Sequence, residues 1–238
     1  MSRDREVMGL SLIGSVWVRL GRLALAIARR LPGGRVFAET ADTQVPADLG
    51  RWFCQRVLGI NSGAYWPMHP TSRVTFPRRV HIGVETSPGW SAGCYVNGMN
   101  GIYIGDYTQI APNVGIISAN HDSYYLPRHL PSPPIRIGRY CLLGFGTVIL
   151  PGVELGDFTI VAANAVVTSS FPDGRAVLAG SPARVVKQLD PAKCEPYRSA
   201  HEYNGYVPAA RFPEFAKQRL ALPDVTDRAT GDVAQAPQ

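Results

Sequence analysis

Residues 135–167 read IRIGRYCLLGFGTVILPGVELGDFTIVAANAVV. Within that stretch Ile137, Leu143, Ile149, Leu155, Val161 and Val167 follow one another at six-residue steps, and every one is a branched aliphatic. The same phase holds upstream at Ile104, Ile110 and Ile116. A period of six is neither the 3.6 of a helix nor the two of a strand, so it predicts a coil whose flat sides are one hexapeptide each. Two residues before each aliphatic stand Ile102, Thr108, Val114, Ile135, Cys141, Thr147, Val153, Thr159 and Ala165. These are small or β-branched, suited to a second inward position on a short strand. Glycine follows the aliphatic at Gly105, Gly138, Gly144 and Gly156, where a coil corner calls for a tight or left-handed backbone. The chain reads as a mainly β protein, a parallel β-helix.

Outward from this stretch the register slips twice. Val80, Ile82 and Gly83 fit the repeat, but Ile82 and Ile104 are not a multiple of six apart, so an irregular loop is expected at Ser87-Pro88-Gly89-Trp90. A second slip parts Ile116 from Ile137. His121 to Pro134 contain Tyr124, Tyr125, Pro127, Pro131, Pro133 and Pro134, and are expected to project as a stiffened loop with His121 at its base. The repeat is expected to end at Phe171-Pro172-Asp173-Gly174, with Pro182 opening a closing segment.

Two motifs accompany the coil: Ser118-Ala119-Asn120-His121-Asp122, and the ending Ala179-Gly180-Ser181-Pro182-Ala183-Arg184-Val185-Val186-Lys187. With them the segment resembles the left-handed β-helix acyltransferases of the hexapeptide-repeat superfamily, which include galactoside, maltose and serine acetyltransferases and the O-acetyltransferases of capsules and lipopolysaccharides. The resemblance covers roughly residues 71–187, about half of the chain. It divides the protein into an N-terminal helical segment (1–70), the β-helix domain (71–187) and an irregular C-terminal extension (188–238) whose end, from Asp224 to Gln238, is polar and expected to be mobile.

The resemblance implies an acyl-CoA-dependent O-acetyltransferase that moves acetyl from acetyl-CoA directly to a hydroxyl of a sugar or glycan, without an acyl-enzyme. His121 matches the family's general base, and imidazole is suited to that task near neutral pH. Gly144, Phe145, Ala163 and Thr168 match residues lining the pantetheine slot. Arg184 and Lys187 match the closing basic positions that meet the nucleotide phosphates, where charge-assisted contacts are apt. Phe145 departs from the family's small polar residue, and one extra residue lies between Thr168 and Pro182. The family's acceptor-binding residues have no clear counterparts; Asn97 and Asn100 are the nearby candidates. Asn120 continues the inward phase of Thr108 and Val114, so its amide either braces the coil or touches substrate. Asp122 either orients the imidazole or caps the loop. Such enzymes are usually homotrimers.

Composition sets bounds on the rest. The chain has 238 residues, 45% hydrophobic and 18% charged, with a net charge of +6. That excess suits an anionic cofactor, and no basic run with interleaved aromatics points to nucleic acid. Cys54, Cys94, Cys141 and Cys194 lack paired metal spacing. They read as reduced thiols of a cytoplasmic protein, and Cys141, at an inward position, as structural rather than nucleophilic. His69, His81, His121, His129 and His201 lack the spacing of a zinc lyase built on the same coil, so no metal is expected.

Residues 7–31 are expected to form an amphipathic basic helix interrupted by Arg19 and Arg22, packing on the domain or docking on the inner face of an anionic membrane. A short helix is expected from Ala47 to Leu58, packed through Trp52 and Phe53. Two other functions compete: a small-molecule or antibiotic acetyltransferase, and a non-catalytic β-helix scaffold.

Overall fold

The computed structural model describes residues 34–221. The expected helix at 7–31 and the tail from Asp224 lie outside the described residues. A short helix α1 (Val36–Glu39) precedes α2 (Leu49–Arg56), whose N-cap Asp48 accepts a hydrogen bond from the Arg51 amide at 2.8 Å. Of the two expected packing residues, Trp52 meets Phe37 edge to face at 6.5 Å, while Phe53 stays nearly half exposed. The helix also buries Gln55, whose amide donates to the Trp66 carbonyl at 3.0 Å and whose oxygen accepts from the Met68 amide at 3.2 Å and the Tyr206 hydroxyl at 2.8 Å. A buried amide satisfied three ways fastens the helix to the coil floor, beside the apolar contact of Leu49 with Val36, Phe37 and Ala47.

The coil is a left-handed β-helix of three faces. The first carries β1 (Arg73–Thr75), β3 (Tyr95–Asn97), β6 (Gly115–Ile117), β9 (Val148–Ile149) and β12 (Val166–Val167). The second carries β2 (Val80–Ile82), β4 (Ile102–Ile104), β7 (Ile135–Ile137) and β10 (Glu154–Leu155). The third carries β5 (Gln109–Ile110), β8 (Leu142–Leu143), β11 (Ile160–Val161) and β13 (Ala176–Gly180), then β14 (Ala183–Gln188), which returns antiparallel to β13. The other pairings in the three faces are parallel, and Leu142 faces Ile160 as Val148 faces Val166, eighteen residues per turn.

Both predicted inward lines fill the core. All nine aliphatics of the register are buried except Ile110, which is half-buried because β5 is the edge strand of its face. The line two residues earlier is buried throughout, and its hydroxyls donate to backbone carbonyls: Thr108 to Gly138 at 2.8 Å and Thr147 to Ala162 at 3.2 Å on the next coil, and Thr159 to Gly156 at 2.7 Å on its own. Burying this many Val, Ile and Leu side chains, each worth about 1.5–3 kcal/mol, is the main force holding the stack.

Three expectations are corrected. The corner glycines 105, 138, 144 and 156 are not left-handed. They are needed because the next coil touches them: a Cβ on Gly138 would lie 2.6 Å from the Asp157 nitrogen. The left-handed residue comes two positions later, at Tyr107, Tyr140, Gly146 and Phe158. Tyr107, Tyr140 and Phe158 stack up the corner at 5.4 and 4.9 Å between ring centroids, offsetting part of the strain of positive φ in residues with a Cβ. Second, strand pairing outlasts the side-chain repeat inside the expected 71–187 domain: Phe171 bridges Leu155 on the second face and β13 closes the third, with Leu178 fully buried.

Third, the described part of the C-terminal extension, 188–221, is a strap rather than irregular chain. Tyr197 packs against the aromatic stack, and Tyr140 donates to its carbonyl at 2.9 Å. The strap then forms the hairpin β15 (Tyr203–Asn204) and β16 (Val207–Pro208) and the helix α3 (Phe212–Arg219). Asn204 donates to the Ile82 carbonyl, and Phe212 and Phe215 pack on Tyr65, so the strap seals the lower end of the stack that Trp66 and Met68 fill. A solenoid needs such a cap over its end coil. No helix among the described residues is long and apolar enough to cross a membrane.

Candidate functional site

Residues 118–134 leave the stack at the corner between the first and second faces, after β6 and before β7, where the second slip predicted a projection. The exit is pinned from the coil below. Asn100 donates through its side-chain amide to the Ser118 carbonyl at 2.9 Å and the Leu130 carbonyl at 3.1 Å, and its own amide donates to Ser118 Oγ at 2.9 Å. Asn97 Oδ1 accepts from the Met99 amide at 3.0 Å. Of the two candidate acceptor residues, Asn100 thus shapes the loop base, while the Asn97 side chain closes its own turn. Asn120 is exposed and its side chain makes no bond to the coil, so it does not brace the turn. The inward phase passes instead to Ser118, fully buried, as the chain departs.

His121 is exposed at the start of the loop. Its Nδ1 lies 2.5 Å from the Leu126 carbonyl. A carbonyl only accepts, so Nδ1 carries the hydrogen, and the neutral ring holds its lone pair at Nε2. His129 lies against the ring, 4.2 Å between centroids, and the two residues bridge backbones across the loop. Asp122 does not orient the imidazole directly. Its Oδ1 accepts from the Tyr124 and Tyr125 amides at 2.7 and 3.2 Å, and its Oδ2 from Arg128 Nε at 2.9 Å and from the second guanidinium nitrogen. The Tyr124 amide and the Arg128 guanidinium hold its carboxyl below the usual carboxylate range.

The residues matched to a cofactor slot fall into a column on another corner, between the third and first faces. Leu143 pairs with Val161 and Val161 with Leu178, so Gly144, Ala162 and Ala179 stack one above the next; Arg184, paired with Ala179, stands at the top. Phe145, half-exposed, accepts from the Asn164 amide at 2.7 Å beside exposed Ala163. Lys187 pairs with Val177 and is exposed. Thr168 is not part of this column. It follows β12 and lies on the corner of His121, two coils higher. Within one chain, then, His121 and the column stand at opposite edges of the first face. Cys141 is buried and its thiol is pushed up to about 11, chiefly by burial, as suits a structural residue.

Residues 134–169 match the family of bacterial transferase hexapeptide repeats (six repeats). Over 145 residues the chain is 30% identical to the Escherichia coli (strain K12) protein named as the colanic acid biosynthesis acetyltransferase WcaF, covering 60% of this chain and 78% of that protein. The chain belongs to the hexapeptide-repeat acetyltransferases. This acetyltransferase is also 34% identical over 166 residues to nodulation protein L of Rhizobium meliloti (strain 1021), covering 61% of itself and 90% of that protein. Among solved structures, galactoside acetyltransferase in complex with coenzyme A superposes with a TM-score of 0.46 at 25% identity, covering 76% of this chain and 90% of that one.

The register slip and the motif put His121 at the base of a projecting loop, where it stands; the groups that hold its ring, the Leu126 carbonyl and His129, were not foreseen. A backbone carbonyl has no signature in sequence, whereas the second histidine eight residues on was visible as a residue without a role.

Proposed function

We propose that this hexapeptide-repeat acetyltransferase transfers acetyl from acetyl-CoA to a hydroxyl of a sugar or glycan, with His121 as general base. The observation that carries the reading is the hydrogen bond from His121 Nδ1 to the Leu126 carbonyl, which leaves the Nε2 lone pair on an exposed ring to accept a proton. Nε2 takes the proton of the acceptor hydroxyl as its oxygen attacks the thioester carbonyl. The tetrahedral oxyanion collapses, the carbon–sulfur bond breaks, and the imidazolium returns the proton to the departing sulfur. A positioned base of this kind contributes about 10²–10⁴-fold. The column from Gly144 through Ala163 to Arg184 is the slot for the carrier: small residues admit the pantetheine arm, while Arg184 and Lys187 meet phosphates at its upper end.

The separation of base and column across the first face supports an active site completed by a neighbouring chain of a homotrimer. Outward positions on that face are apolar at Ile117, Val148, Leu150 and Val166, with Tyr95 at the lower end, as a face turned toward other copies requires. The sugar- and polysaccharide-related names of the relatives support a glycan acceptor, and the basic composition of segment 7–31 supports docking at a membrane face.

Release of the coenzyme A thiol, followed with a panel of glycan acceptors, tests the reading. His121→Ala should lose turnover by at least about a hundredfold yet keep a thermal shift with acetyl-CoA, about 2.7 kcal/mol at a hundredfold excess over Kd. Arg184→Ala should weaken that shift, and co-expression of the two variants should restore part of the activity in mixed trimers. Full turnover by His121→Ala overturns the assignment.

A further inference from the structure

Beyond the pinned base of the His121 loop one group is withdrawn from solvent, and its carboxylate bonds to neither the imidazole nor the coil. From residue 121 to 131 every residue is exposed except Asp122, at 7%. A carboxylate so withdrawn inside a projecting loop needs partners, and all of its partners belong to the loop itself. The Tyr124 and Tyr125 amides and the Arg128 guanidinium converge on it, while the Asp122 amide donates to the Arg128 carbonyl at 2.8 Å and the Arg128 amide to the Tyr125 carbonyl at 2.9 Å. Residues 122–128 are thus closed into a ring of chain. Leu126 lies within that ring, and its carbonyl is aimed outward at His121 Nδ1.

We propose that Asp122 and Arg128 are positioning residues that set the tautomer of His121 through the Leu126 carbonyl. The inference rests on the reading of His121 as a base and says what makes it one. A neutral imidazole in water favours hydrogen at Nε2, which leaves that nitrogen a donor, unable to take a proton from a hydroxyl. Presenting a fixed carbonyl to Nδ1 reverses the preference and keeps the lone pair at Nε2. Direct contact between Asp122 and the ring would do the same, but four donors already occupy the carboxylate, so its effect is relayed through the turn it closes. His129 restricts the ring from its face while the carbonyl fixes it from its edge.

Imidazole ¹⁵N chemical shifts read the tautomer directly and need no acceptor. Protein labelled at its five histidines, with His121 assigned by its absence in His121→Gln, would be recorded at a pH where the rings are neutral. Wild type should show a protonated Nδ1 and an unprotonated Nε2 at His121. In Asp122→Ala and in Arg128→Ala, which alters a mostly exposed side chain and leaves the fold intact, the pattern should move toward that of free histidine. Asp122→Asn, which keeps an oxygen for the two amides, should fall between. Turnover should drop roughly five- to tenfold in kcat, in step with the fraction of competent tautomer, with acetyl-CoA binding unchanged. Identical His121 shifts in wild type and Arg128→Ala, or hydrogen at Nε2 in wild type, would overturn the proposal. If the tautomer moves as stated while His121→Ala stays fully active, the relay stands and the general-base reading fails instead.

Discussion

Gly138→Ala tests why the coil corners need glycine. Gly138 has an ordinary φ, so the substitution carries no penalty of handedness. The added Cβ would lie 2.6 Å from the Asp157 nitrogen and 2.7 Å from the Gly156 carbonyl carbon, both backbone atoms of the coil above. Reaching an ordinary contact of about 3.5 Å requires the two coils to part by close to 1 Å at that corner. The Gly138 amide donates to the Leu155 carbonyl at 2.8 Å, and the Arg139 amide to Asp157 Oδ1 at 2.7 Å. The same movement stretches both beyond bonding range, at about 0.5–1.5 kcal/mol each. Overpacking adds about 1–3 kcal/mol, for a total near 2–6 kcal/mol. Gly59→Ala is the control, since Gly59 has φ of +76° and nothing within 4 Å of its would-be Cβ, so only the left-handed backbone costs, about 1–2 kcal/mol. Urea unfolding at one protein concentration compares them. A Gly138→Ala loss smaller than that of Gly59→Ala would refute close approach as the reason for glycine at the corners.

Two other outcomes follow from buried groups. Cys94 and Cys141 are buried and their thiols raised mainly by burial, whereas Cys54 and Cys194 are half-exposed; a thiol reagent at neutral pH should label Cys54 and Cys194 in the native protein, and peptide mapping that finds Cys141 labelled at a similar rate would contradict its structural role. His81 lies among Tyr103, Phe212 and Asp106, and burial lowers its pKa although Asp106 pulls the other way. The unfolded chain therefore takes up this proton first, so stability should fall as pH drops below about 6.5. His81→Gln should flatten the decline in Tm between about pH 7 and 5, and an unchanged decline would refute the assignment.

Much of the coil could be read before any coordinates because its inward positions must be apolar and its side length is fixed. Ile104 to Val167 obey both demands, and the structure buries them accordingly. The last turn lies inside the expected 71–187 domain but outside the repeat, because Leu178 follows Val161 by seventeen residues rather than eighteen, while backbone pairing carries the coil past the point where side chains stop repeating. The strap was illegible for another reason: Tyr197 and Phe212 find partners far away in sequence, at Tyr140 and Tyr65, and such contacts have no period. Positive φ at Tyr107, Tyr140 and Phe158 contradicts local preference, and only stacking between coils makes sense of it. Of the candidate site, the projecting loop with His121 at its base was legible, but not the distance that separates it from Gly144 and Arg184, which depends on which corner each residue occupies.

That placement constrains how the proposed reaction is arranged. Successive coils are about 4.8 Å apart, so Gly144, Ala162, Ala179 and Arg184 mark out a wall rising roughly 14 Å parallel to the axis. A linear carrier laid on this wall runs along the axis, its charged end by Arg184 and its reactive end at the level of Gly144. His121 leaves the coil below Gly144, at the other edge of the first face. A carrier confined to its own chain's wall would have to cross that face to reach it. Copies meeting edge to edge around their first faces instead bring one chain's His121 corner against its neighbour's wall, with the apolar residues Val148 and Val166 turned inward. On this reading trimer and active site form together, and loosening the first face should cost activity before it costs the fold of a chain. Val148→Asp places a charge on that face without touching either corner, so it should yield folded monomers, by circular dichroism and light scattering, that bind no glycan acceptor productively. Active monomers would show that each chain carries a complete site.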